Sequence, residues 1–377
     1  MRKLINFFFN VKKFYLRPKK KSFLVFDKRN LFILKKYIND KNINVLSTRG
    51  EDINIYILIY TIIKYGFKNF RTNYINSFIK ITCPKCCITL NHAFFLFYKI
   101  KEQNKDIITI AVQNGHILIK DDQYRFLQIL KNDFKKSKKK PKCDYILTQN
   151  DFFSKKFFNK YFNTKTIEIG SYRNNFYKKK FLKKKKIISF ISQFRLKFYK
   201  KDSTKMGNVY ETEKKILPMV YKFCKENKFE FYILGSDWDE EKEINFYEKI
   251  IGNKDWVFKK RTIHNNSYYW TDQSELTIFV DSNLGFESLA RGNKTISFNL
   301  RKNWNKTYKN WGMDFITSKG KFWLNDFNSY EFRRLMNYGL RTKKNKWNKD
   351  NEKIIQKLIS YDPGNIILKK IISKIEN

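Results

Sequence analysis

LTIFVDSNLGFESLARGNKTISFNLR, residues Leu276 to Arg301, reads as strand, tight turn, short helix, turn and second strand. Leu276 to Val280 is a compact apolar run of the kind buried in parallel sheets. Asp281-Ser282-Asn283 breaks the strand and offers side-chain oxygens to the first N–H groups of a helix. Gly285 allows a close backbone approach, and Arg291-Gly292-Asn293 stops the helix with a residue that tolerates the left-handed conformation. Thr295 to Phe298 then resumes a strand. Ligands of open α/β sheets bind at the carboxyl ends of strands, beside helix N-termini whose N–H groups attract anions. This turn, followed at once by Glu287, is therefore the first place to expect a nucleotide. A carboxylate in a first helical turn would equally offset the helix dipole with no ligand. It does not complete a reciprocal capping box, because Leu284 stands three positions earlier.

The same alternation recurs along the chain. Apolar runs at Phe23–Phe26, Ile43–Leu46, Ile81–Leu90, Ile107–Val112, Tyr145–Leu147 and Thr166–Ile169 each end in small or polar residues. Several of them feed a helix-length segment, one beginning near Asp52 and another covering Ala93 to Lys101. Lys178 to Lys186 is an almost continuous lysine run, a solvated connector. Strands then return at Ile187–Ile191, Phe229–Leu234 and Trp256–Lys259, with a helix from Glu213 to Lys228. Glu331 to Ile375 is mainly helical, broken at Pro363-Gly364. The pattern predicts an α/β protein of two Rossmann-like, doubly wound parallel-sheet domains facing across a cleft. The expected division is a basic aromatic segment at 1–21, a domain at 22–177, a linker at 178–186, a domain at 187–330 and a helical tail at 331–377.

Composition narrows the function classes. With 79 Lys+Arg against 35 Asp+Glu, the 377-residue chain carries +44, a field that attracts polyanions and anionic lipid. Lysine, isoleucine, asparagine, phenylalanine and tyrosine are abundant while alanine and glycine are scarce, as an AT-rich genome would produce without selection for nucleic acid. No zinc-finger spacing or RNP pattern accompanies the charge, so nucleic acid is not the expected partner. Cys83-Pro84-Lys85-Cys86 lacks the second pair that zinc needs, and the five cysteines suit a reducing cytoplasm. Ile53 to Phe67 is the most apolar helix candidate, but Lys64 interrupts it and it is too short to span a membrane. The first twenty residues, with Phe7, Phe8, Phe9 and Tyr15 among lysines, could lie on an anionic membrane surface or form a frayed tail.

AVQNGH (Ala111–His116), CDYILTQNDFF (Cys143–Phe153), IEIGSYRNN (Ile167–Asn175), ISFISQFR (Ile188–Arg195), DWVFKKR (Asp255–Arg261) and FVDSNLGFESLARGNKTISFNLR (Phe279–Arg301) follow one another in this order. Together they resemble GT-B glycosyltransferases, and more closely the bacterial surface-carbohydrate biosynthesis proteins of that fold. The chain is also distantly similar to capsule Kdo transferases and CDP-glycerol glycerophosphotransferases. The resemblance implies a cytoplasmic transferase, possible at the inner face of the cytoplasmic membrane. It would move a sugar or polyol phosphate from a CMP-, CDP- or UDP-linked donor to a surface polysaccharide or lipid-linked acceptor. The second domain would bind that donor, with Glu287 on the ribose hydroxyls and Ser282, Asn283 and Gly285 along the phosphate approach.

Arg195 and Arg261, at strand ends, can fork onto phosphate oxygens, and Arg301 has the same setting. Transfer to a hydroxyl needs a base, and His116, in a glycine-containing turn after a strand, titrates near working pH. Asp27 and Glu51 are alternative bases, although each could instead serve a helix start. Gln113, Asn114 and Gly115 belong to the same turn as His116, and Arg173 and Asn175 would line the hinge or acceptor cleft. No metal and no other cofactor is required: Asp237-Trp238-Asp239 has the letters of a metal-binding DxD but reads as a loop. A sugar-nucleotide epimerase of the same fold, or a non-catalytic protein that binds polyanions or membranes, remains open on sequence alone.

Overall fold

The computed structural model describes residues 11–48, 51–116, 140–179, 184–196, 210–236, 239–252, 254–260, 267–300 and 317–376. They fall into two units, the first built from 11–116, 140–176 and 364–376, the second lying within 177–363.

The first unit contains β1 (Lys12–Phe14), β2 (Phe23–Phe26), β3 (Ile43–Leu46), β4 (Asp52–Asn54), β5 (Cys86–Thr89), β6 (Ile108–Val112), β7 (Lys142–Thr148) and β8 (Asn163–Glu168). Six form a parallel sheet in the order β3-β2-β5-β6-β7-β8. Every residue of β2 (FLVF) and β5 (CCIT) is buried, as a sheet covered on both faces demands. Phe23, Val25, Ile88, Ile110 and Leu147 share one core with Leu368 and Ile372 of the last helix, Ile366–Glu376. Gly364, at φ +85°, turns the chain into that helix, and its N–H donates to the Asn175 carbonyl at 2.7 Å. Asn365 then donates to the Tyr172 carbonyl at 2.8 Å.

Three local expectations change. Lys12–Phe14 is not a frayed tail: β1 pairs in parallel with β4. The helix expected near Asp52 starts at Ile55, after that short strand, and the Asn54 side chain caps it by accepting from Ile57 N–H at 2.9 Å. Ile81 and Thr82 end the Phe70–Thr82 helix instead of opening a strand; Cys83 turns the chain at φ +45° before β5 begins. Cys86 and Cys87 are buried in β5, where desolvation pushes both thiols up, so they behave as strand residues.

The second unit holds β9 (Lys185–Ile191), β10 (Glu230–Leu234), β11 (Val257–Lys259), β12 (Ser274–Phe279), β13 (Thr295–Phe298) and β14 (Trp323–Leu324), the last unanticipated. All pair in parallel, in the order β11-β10-β9-β12-β13-β14. Counted from β9 this is the 3-2-1-4-5-6 order of a dinucleotide-binding sheet, and the direction of winding reverses between β9 and β12. In the first unit the reversal falls between β2 and β5.

Candidate functional site

Where winding reverses, the loops leaving two adjacent strands diverge to opposite faces and leave a crevice at their carboxyl ends. In the second unit those loops are Ser192–Arg195, after β9, and Val280–Ser282, after β12. They are joined directly, because the Asp281 N–H donates to the Gln193 side-chain oxygen at 3.3 Å. Arg195 is exposed, and its main chain is held on both sides by the Tyr210 hydroxyl, which accepts from its N–H at 3.0 Å and donates to its carbonyl at 3.3 Å.

The Asn283–Ala290 helix starts at this crevice. Ser282 is its N-cap residue, yet the Ser282 side chain makes no cap hydrogen bond, contrary to the expected side-chain capping. Gly285 does stand at a close approach. A Cβ there would lie 2.1 Å from the Phe279 ring, so the close approach is to β12 itself. The helix ends as its sequence indicates: Gly292, at φ +70°, donates to the Leu289 carbonyl and Asn293 to that of Ser288, closing a Schellman turn.

Glu287 is 2% exposed, and its Oε2 accepts from the Tyr268 hydroxyl at 2.7 Å. Ser282 and Asn283 are half-buried at the mouth of the turn. Beyond the helix, Arg291 and Asp272 form a buried ion pair that also takes in Asn293, 2.8 Å from Asp272. Burial opposes the Arg291 charge, but the Asp272 hydrogen bond and charge outweigh it and raise its pKa. Arg261 and Arg301 lie outside the described residues. Asp239 of the DxD-like triplet caps the Glu240–Ile251 helix, accepting from Lys242 N–H at 3.3 Å.

A polar cluster that sequence reasoning missed underlies the β9 loop. Ser192 bonds to Glu243 and, at 2.6 Å, to Tyr247; Glu243 also accepts from Ser236 N–H at 3.0 Å. Ser236 in turn donates to the Phe194 carbonyl at 2.7 Å. Burial, then the Glu213 and Glu243 charges, push the Tyr247 hydroxyl well up. The cluster fixes the loop carrying Gln193 and Arg195. Its members are spread from 192 to 247, so no local motif announces it. A concavity of about 330 Å³, lined by Lys184, Glu275, Lys294, Arg341 and Lys344, lies at the amino edge of the sheet, away from Glu287.

The carboxyl edge of the first unit gathers several expected residues. His116 is half-buried after β6, within the turn Gln113–His116. Gln113 is buried and ties the turn together, accepting from Gln149 N–H at 2.9 Å and donating to the Gly115 carbonyl at 2.8 Å. Arg173 donates to the Asn114 carbonyl at 3.2 Å, and Asn114 N–H donates to His92 Nδ1 at 3.2 Å. His92 is buried, and desolvation lowers its pKa to about 4, so it acts here as a neutral acceptor. Asn175 is fully buried and donates to the Ile169 carbonyl. Asp27, 2% exposed and at φ +79°, accepts from Arg29 N–H at 3.1 Å ahead of the short Leu31–Leu34 helix. Glu51 is half-buried, and its carbonyl accepts from Lys12 N–H at 3.1 Å.

Two further residues belong at this edge. Gln149 is completely buried just past β7, and its side-chain amide has no hydrogen-bond partner. Such an orphaned buried group is costly and marks a position of interest. Glu168 ends β8, where burial, followed by the nearby Asp151 charge, raises its pKa to about 6.

Residues 110–376 match the family described as "putative O-antigen biosynthesis protein". No curated protein sequence matches the chain. Among solved structures it is similar to the wall teichoic acid polymerase TagF, at 12% identity and a TM-score of 0.51, covering 95% of this chain and 90% of that one. It is also similar to UDP-GlcNAc 2-epimerase from Neisseria meningitidis bound to UDP-GlcNAc (11% identity, TM-score 0.52, coverage 94% and 99%). A glycosyltransferase from Rickettsia africae ESF-5 gives 10% identity and a TM-score of 0.52, covering 96% and 100%. At such identities the likeness shows the fold alone, two Rossmann-like units of the GT-B type.

Proposed function

This chain belongs to the O-antigen biosynthesis family, and we propose that it is a glycosyltransferase moving a sugar from a nucleotide-linked donor to a growing surface glycan. The observation that carries the proposal is the reversal of winding between β9 and β12, with exposed Arg195 on one loop and the start of the Asn283–Ala290 helix, not capped by the Ser282 side chain, on the other. A pyrophosphate at that crevice would meet Arg195, Ser282, Asn283 and the helix N-terminus, all of which favour anionic oxygens. Glu287, held by Tyr268, is assigned to the ribose hydroxyls at the inner end of the site.

The acceptor hydroxyl is assigned to the carboxyl edge of the first unit. There His116 is the proposed base, with Glu51 and Glu168 as the carboxylates available to share the work. Asp27 is committed to its own turn and drops behind them. Arg195, with Arg261 and Arg301, would neutralise the leaving phosphate in place of a metal. The reaction is proposed to occur on the cytoplasmic side, where nucleotide-linked sugars are supplied. Among the described residues no helix is long and apolar enough to cross a membrane.

A thermal-shift panel of CMP, CDP, UDP, GDP and their sugar conjugates tests the assignment. One nucleotide series should stabilise the protein, and Arg195→Ala and Glu287→Ala should each abolish that stabilisation. If no nucleotide shifts Tm, the proposal fails. Product analysis with donor alone separates transfer, which needs an acceptor, from epimerisation, which does not.

A further inference from the structure

The helix Ile55–Tyr65, with the residues just beyond it, is apolar on two sides. Ile57 and Thr61 are buried against the first unit, as the inner face of a surface helix should be. The opposite face should be polar. Instead Tyr56, Ile59 and Ile63 are exposed there, at 37, 52 and 80%, and Phe67 follows at 78%. Positions 56, 59 and 63 fall on one side of the helix by their spacing, so these side chains make one stripe, and Phe67 follows just past the turn at Gly66.

The stripe continues onto a neighbouring segment. β1 pairs with β4, which leads directly into the helix, and Asn54 donates to the Leu16 carbonyl at 3.0 Å. That contact places Phe14, Tyr15 and Leu16, exposed by 46, 68 and 84%, beside the helix start. The helix stripe, with Phe67 past its end and Phe14–Leu16 beside its start, makes this part of the first unit more apolar outside than scattered exposure accounts for.

Its charges are mostly positive. The sequence has no Asp or Glu from Met1 to Phe26, nor from Ile53 to Lys101. Exposed Lys12, Lys13, Arg17, Lys64 and Lys68 surround the stripe. Lys64 lies 5.2 Å from the Tyr65 ring centre and Lys12 5.1 Å from that of Phe14, so cations are set over the aromatic rings. An apolar stripe with tyrosines, rimmed by cations and with Asp52 near its start already paired to Lys28, matches the boundary between acyl chains and anionic headgroups.

We infer that the outer face of the Ile55–Tyr65 helix, together with Phe67 and Phe14–Leu16, docks the first unit onto an anionic lipid bilayer. The helix lies in the plane of the surface, its stripe entering the acyl boundary while the flanking lysines pair with phosphate oxygens. The inference stands apart from the transferase assignment, since it uses none of the residues placed at either carboxyl edge.

Vesicle co-sedimentation of the full chain tests it, using phosphatidylcholine alone or mixed with phosphatidylglycerol. Wild type should pellet with the mixed vesicles and stay in the supernatant with phosphatidylcholine. Ile59→Glu/Ile63→Glu should lose binding by roughly tenfold or more, because each change puts a carboxylate where an acyl chain would sit. Ile63→Leu should retain it, and Lys64→Glu/Lys68→Glu should weaken it in a salt-dependent way. Both exposed Ile→Glu changes should leave Tm and nucleotide-induced stabilisation unaltered, so a failed transferase assignment would not be mistaken for a failed docking surface. Equal binding of wild type and Ile59→Glu/Ile63→Glu would overturn the inference, reducing the attraction to net charge. So would a wild type that ignores anionic vesicles but forms dimers that the double variant cannot form.

Discussion

The Tyr268 hydroxyl lies 2.7 Å from Glu287 Oε2, while the face of the same ring sits 5.3 Å from the Arg291 guanidinium. One aromatic side chain therefore links the carboxylate assigned to ribose with the buried ion pair behind it. Tyr268→Phe removes a donor to a buried carboxylate and should cost about 1–3 kcal/mol of unfolding free energy. It should also weaken nucleotide-induced stabilisation without abolishing it. Urea titration reads the first effect and a thermal shift the second; an unchanged thermal shift would detach Tyr268 from the nucleotide site.

Arg291 and Asp272 have side chains 1 and 3% exposed. Asp272→Asn leaves a buried guanidinium without its counter-charge, and should destabilise by about 3–5 kcal/mol. Replacing both partners with apolar residues, Asp272→Leu/Arg291→Met, should recover much of that loss, because neither charge then remains to be solvated. Denaturant midpoints of the three proteins decide it.

His92 makes acid stability predictable in sign. Its pKa falls from an ordinary 6.5 to about 4 on folding, because burial penalises the imidazolium. Between those values the unfolded chain binds a proton that the folded chain refuses, so stability declines as pH drops from 6.5 towards 4. The decline attributable to this group is on the order of 3 kcal/mol. His92→Gln keeps an acceptor for Asn114 N–H and should remove that part of the pH dependence, as seen in unfolding curves at a series of pH values.

Glu168 works in the opposite direction. Its folded pKa, about 6, is above the ordinary 4.5, so the folded state holds a proton that the unfolded chain releases, and stability is lost as pH rises through this window. Glu168→Gln should raise Tm at pH 7.5, and its advantage should vanish below the unfolded pKa. If Glu168 also shares in proton removal from the acceptor, the same variant should flatten the acidic limb of the pH–rate profile.

The two parallel sheets could be read from sequence because strands buried on both faces are mostly apolar runs; FLVF, ITIAV and LTIFV need no partner to be recognised. The turn chemistry of Gly292 was legible for the same reason, being settled within five residues. Relationships between distant positions were not. Gly285 is small because of Phe279, six residues upstream on another element, and Glu287 is held by Tyr268, nineteen residues away. The β1–β4 pairing joins Lys12 to Asp52, and no periodicity in either segment points to it. The run Ile81–Leu90 misled because hydrophobicity is blind to the left-handed turn at Cys83 that divides it. Ser282 has the residue type of a cap without the bond, a difference that residue type alone does not reveal.

The last helix carries a consequence for synthesis. Leu368 and Ile372 complete the core that Phe23 and Val25 begin, so everything from Phe23 to Ile372 must leave the ribosome before the first unit can close. Until then its half-made sheet stays open while the residues of the second unit are already emerging. Chains interrupted before position 366 would leave that apolar seat uncovered, and would be natural prey for chaperones and proteases.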